Sequence, residues 1–74
     1  MSHADYIGSP LQQLPGNGLK SMMEERGVSI AELCRRTGLS RRTIQRLRAG
    51  GSGTLASWRQ IARALGCRID DIAG

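Results

Sequence analysis

The residues of this chain best suited to recognition chemistry are Arg41, Arg42, Gln45 and Arg46. A guanidinium group forks onto a guanine edge or a phosphate, and a glutamine amide pairs in the same two-pronged way with adenine. Their spacing places them together on a helix. At 100° per residue Ile44 and Leu47 turn one way, while Arg42, Gln45, Arg46 and Ala49 turn the other. Arg41 falls at the edge of that second face, near the helix start. Ala49 is small, so the helix can lie close to the floor of a groove. A merely solvated helix face carries mixed charge, yet no acid occurs from Arg35 through Arg48.

The same bias governs the wider segment. Residues 29–59 hold seven arginines against one acid, Glu32, so this stretch carries +6 of a chain total of +5, and the remainder carries −1. Ten of the eleven basic residues are arginine, the side chain that grips phosphate and guanine with fixed geometry. Confined positive charge of this kind points to a polyanion partner.

Other classes of function lack their residues. No nucleophile–base pair, carboxylate pair or phosphate loop is visible, so the chain is read as no enzyme. Cys34 and Cys67 lie 33 positions apart without a histidine companion, so neither a metal site nor another cofactor is expected. They read as small apolar groups in a reducing cytoplasm, with nucleoid association following from the polyanion partner. No apolar run approaches the ~18 residues of a membrane span, and no secretory signal is evident. Tyr6 and Trp58 are the only aromatics, too few for a single-strand stacking platform. Trp58 is read as a core ring.

With 74 residues there is room for one domain with a small core. Residues 1–16 hold both prolines and no helical periodicity, and read as an N-terminal extension, flexible or partly docked. A short turn is expected around Leu11–Leu14. Tyr6, Ile7, Leu11 and Leu14 are available to dock on the domain or on a second copy, and His3 is expected in solvent. Residues 17–74 read as an all-α bundle of about five short helices, with no strand of period two. Leu19, Met22 and Met23 mark a first helix ended by Gly27. Ser29-Ile-Ala-Glu32 reads as a capping box opening a second helix, with Leu33 and Cys34 inward and a stop at Gly38. Ser40 caps the third, which ends at Gly50. Gly51-Ser52-Gly53 reads as a loop. Thr54 then caps a fourth helix with Leu55, Trp58, Ile61, Ala62 and Leu65 on one face, closed by Gly66. Ile69 and Ile72 suggest a final turn. Only Gly38 and Leu39 separate Thr37 from the Ser40 cap, so the second and third helices must cross steeply as a helix-turn-helix.

From about Leu19 onward the chain resembles the phage-repressor, Cro-like helix-turn-helix family of the lambda-repressor fold. Its most recognisable parts are Ala31-Glu32-Leu33-Cys34-Arg35-Arg36-Thr37-Gly38-Leu39-Ser40 and Gln60-Ile61-Ala62-Arg63-Ala64-Leu65-Gly66. The resemblance implies that Arg41, Arg42, Gln45 and Arg46 read bases. It implies phosphate contacts near Ser29 and Ile30, at Ser40, and at Gly53 and Thr54. Two departures stand out. Ile30 replaces a polar residue, often glutamine, that grips phosphate in the family. Met23 and Arg48 replace a family arginine–glutamate pair, which leaves Arg48 to turn to phosphate. The expectation is a sequence-specific regulator, a repressor bound as a homodimer to a pseudo-palindromic operator in double-stranded DNA. The alternative is a protein-interaction or antitoxin-type module of the same fold.

Neutralising phosphates releases counterions. Affinity for duplex DNA is therefore expected to fall steeply with salt, by about 0.9 in log–log slope per phosphate contact. Titrations at several salt concentrations measure this, and a flat response would favour the interaction module.

Overall fold

The computed structural model describes residues 13–74. Expectations for His3, Tyr6, Ile7 and Leu11 lie outside them. The element order is β1 (Gln13–Pro15), α1 (Leu19–Arg26), α2 (Ile30–Thr37), α3 (Arg41–Arg48), β2 (Ser52–Thr54), α4 (Leu55–Leu65) and a closing 3-10 turn at Ile69–Asp71. The described residues thus form four α-helices and a two-stranded sheet, which corrects the expectation of about five helices and no strand.

The helices are short, and polar side chains finish their ends. Ser29 Oγ accepts from the Glu32 amide, Ser40 Oγ from the Thr43 amide and Thr54 Oγ1 from the Ser57 amide, each at 3.1 Å. Each bond satisfies one amide that a first turn leaves orphaned. The reciprocal half of the expected capping box is not used. Glu32 turns along α2 to Arg36 instead, at 2.8 Å. Gly38 takes a left-handed φ of 77°, which lets α2 stop and α3 start within three residues.

One core joins the helices. Leu19 and Met23 of α1, Leu33 of α2, Ile44 and Leu47 of α3, and Trp58, Ile61, Ala62 and Leu65 of α4 are buried, together with Ile72 and Ala73. Trp58 is the largest and is fully enclosed, as the sequence suggested. Cys34 and Cys67 are half-buried free thiols packed against this core.

The sheet closes the molecule at its ends. β1 pairs antiparallel with β2, with Leu14 opposite Gly53 and Pro15 opposite Ser52. Residues Gly51-Ser52-Gly53, expected as a loop, therefore lead into and form a strand. The end of β1 and the chain just after it also hold the last residues: Asn17 N–H donates to Ile72 O at 3.1 Å, and Gly74 N–H to Pro15 O at 3.0 Å. The Trp58 indole N–H donates to Leu14 O at 2.9 Å. A Cβ on Gly53 would stand 2.7 Å from Leu47 Cδ2, so only glycine lets β2 lie this close to α3.

Removing residues 1–15 takes away β1 and leaves the buried indole N–H without its acceptor. An unsatisfied buried donor costs about 1–3 kcal/mol, and the lost strand pairing adds to it. The truncated chain is expected to be less stable than one beginning at Gln13 by at least ~2 kcal/mol in urea denaturation.

Candidate nucleic-acid interface

Two buried side chains fix the rotation of α3. Ile44 and Leu47 are 0% and 1% exposed, so the opposite face must meet solvent. Arg41, Arg42, Gln45, Arg46 and Ala49 are all exposed there, and Thr43 and Arg48 are half-buried at the flanks. The four residues expected to read bases thus share one surface. Among the described residues, the side chains of Arg41, Arg42 and Gln45 have no hydrogen-bonded partner within the chain.

α3 is flanked on two sides. On one side a shallow cavity of about 550 Å³ brings Arg41 and Arg48 to the start of α2 at Ser29, Ile30 and Ala31. Met23 and Val28 contribute apolar walls, and Glu24 adds one acid. The start of α2 supplies backbone amides and the positive end of its dipole. The Arg48 Nε lies buried beside it without a hydrogen-bond partner among the described residues. An anion here would meet two guanidinium groups and a helix start. On the other side lies β2, where Arg46 Nη1 donates to the Ser52 carbonyl.

The phosphate-contact expectations distribute unevenly over this surface. Ser29 and Ser40 are exposed at the starts of α2 and α3, and Ile30, Arg48 and Thr54 are half-buried. Gly53 is buried against Leu47 and the Trp58 indole. That leaves Thr54, the cap of α4, as the accessible residue of the pair.

Sequence reasoning missed two features. Arg36 belongs to the basic run but is held by the fold: it pairs with Glu32 at 2.8 Å and donates to Ala64 O at 3.0 Å, tying α2 to the end of α4. The i, i+4 spacing of Glu32 and Arg36 could have shown the ion pair. The Ser52 carbonyl that takes Arg46 has no such signal, since every residue carries a carbonyl. Elsewhere, burial, followed by the carboxylate of Asp71, raises the Cys67 thiol above its usual range against the opposing charge of Arg26. A raised thiol is a poor metal ligand or nucleophile at neutral pH. No group of three metal-ligating side chains occurs among the described residues. No described helix is long and apolar enough to cross a membrane.

The comparisons with known proteins agree with this geometry. The profile of the Cro/C1-type HTH DNA-binding domain matches residues 18–74. Repressor protein C of Rhizobium phage 16-3 is 44% identical over 48 residues, which cover 65% of this chain and 18% of that protein. The match therefore spans less than a fifth of that repressor's length. No solved structure matches the chain.

The Arg36 contacts are partly solvated, with the two side chains of the ion pair 44% and 33% exposed. Arg36→Ala is therefore expected to lower stability by no more than about 1 kcal/mol. Thermal denaturation at low and high salt checks this, and the ion-pair part should fade as salt is added.

Proposed function

From a chain that belongs to the Cro/C1-type HTH DNA-binding domain family, we propose a sequence-specific transcriptional regulator that acts as a repressor. The observation that carries this reading is α3 itself. Its buried side is Ile44 and Leu47, and its exposed side is Arg41, Arg42, Gln45 and Arg46. A helix so mounted fits the major groove, where arginine forks onto guanine and glutamine onto adenine.

Backbone phosphates hold the register. The start of α2 at Ser29 and Ile30, with Arg48 beside it, takes one phosphate on the flank of α3. Ser40 and Thr54 offer the starts of α3 and α4 to others. Ile30 brings no polar side chain to this task, and Arg48 supplies a guanidinium beside it from α3. Repression follows the name of the phage relative. A homodimer on a pseudo-palindromic operator follows family precedent and would set two α3 helices about 34 Å apart, one turn of DNA. The setting is the cytoplasm, on the nucleoid.

Selection from random duplex DNA supplies an operator, and competition against point-mutated operators then separates base reading from charge. Arg42→Ala is expected to cost about 1–3 kcal/mol on the operator and to relax preference at one or two base pairs. Its side chain is exposed, so the fold should persist. Arg63→Ala removes equal charge from α4 and should weaken all sequences slightly and alike. Equal losses from both variants, without change of preference, would make the chain a nonspecific DNA-binding protein.

A further inference from the structure

Arg46 differs from its neighbour Arg42, one turn earlier on the same exposed face. Its Nη1 donates to the Ser52 carbonyl of β2. Its backbone is held as well: the Gly51 amide donates to Arg46 O at 2.8 Å, and a Cβ on Gly51 would stand 2.8 Å from both Arg46 Cγ and Arg46 O, so only glycine fits this close to Arg46. Ser52 is in turn fixed by β1, where Pro15 stands opposite it, and Gly16 N–H donates to Gly51 O at 3.0 Å. Among the described residues the Nε–H and Nη2–H edge of Arg46 has no partner. That edge is a fork matching the O6 and N7 acceptors of guanine.

We propose that the Ser52 carbonyl preorients Arg46 for guanine, so that the β1–β2 pair is a positioning element for base discrimination. This rests on the DNA-reading function above. A free arginine must lose rotamer freedom when it docks. Arg46 is already ordered by β2, and its guanidinium plane is set before DNA arrives. Discrimination at the base pair read by Arg46 therefore depends on a strand that begins near the N-terminus, far from α3 in sequence. Lysine at position 46 keeps the charge but presents no fork.

The test uses the full chain and its selected operator. Nitrogen-15 relaxation of the arginine Nε groups in the free protein should show Arg46 ordered and Arg42 mobile. Arg46→Lys should lose roughly tenfold or more discrimination at a single base pair while the salt dependence stays unchanged. Gly51→Ala, whose Cβ would meet both the Cγ and the backbone carbonyl of Arg46 at 2.8 Å, should displace Arg46 and lose discrimination at that same base pair. If this variant fails to fold, the relaxation data still decide. An Arg46 Nε as mobile as that of Arg42, or full discrimination by Arg46→Lys, overturns the proposal and leaves sequence-specific reading intact. A wild-type chain with no base preference would overturn that reading and this inference with it.

Discussion

The hydrogen bond from the Trp58 indole to the Leu14 carbonyl is the contact on which the rest of the arrangement depends. Trp58 is fully buried and is the largest side chain of the core. Gly53 leaves no room beside the ring for a side chain, and the ring's one polar atom must find an acceptor inside the protein. The acceptor comes from β1, 44 residues earlier in the chain. Once β1 is seated on the tryptophan, β2 has a pairing edge and the C-terminal segment has a place to bond. The chain after α3 is then held close against Leu47, and the side of α3 next to β2 acquires a fixed wall.

Much of this was legible in the residues. The caps Ser29, Ser40 and Thr54 are local devices, each satisfied by an amide three positions on, so a reading along the chain finds them. The buried faces of α3 and α4 follow from helical spacing for the same reason. The sheet was not legible. Its strands are Gln-Leu-Pro and Ser-Gly-Thr, too short to show alternation, and each contains a residue that strands usually avoid, proline or glycine. Their pairing is set by a tertiary partner, and nothing local announces it. The closing segment was half legible: Ile69 and Ile72 signalled a turn, and it forms as a 3-10 turn instead of a fifth helix.

The interface shows the same division. Arg41, Arg42, Gln45 and Arg46 share one exposed face because two buried neighbours, Ile44 and Leu47, decide where α3 points. The meeting of Arg48 with the start of α2 depends on how two helices cross, and the sequence indicates the crossing without its contacts. A half-buried arginine beside a helix start occupies the position at which the resemblance suggested a glutamate partner for α1. Methionine at position 23 sets no second positive charge from α1 against it, and the buried Nε has no hydrogen-bond partner among the described residues.

The seven arginines of residues 29–59 are therefore not equivalent, although they carry equal charge. Long-range attraction to a polyanion counts them all, because a field sums over the surface. Recognition at contact distance does not. Arg36 has its guanidinium taken by Glu32 and the end of α4, and its work is to join two helices. Arg48 is half-buried at the flank, beside the start of α2. Arg46 is held by a backbone carbonyl that uses one of its five N–H donors and leaves others exposed. Arg41 and Arg42 stand outward with their rotamers still to be chosen. What divides the set is the acceptor already present near each guanidinium. A carboxylate neutralises the charge and withdraws the arginine from the interface. A carbonyl orients it and leaves its charge available to the partner.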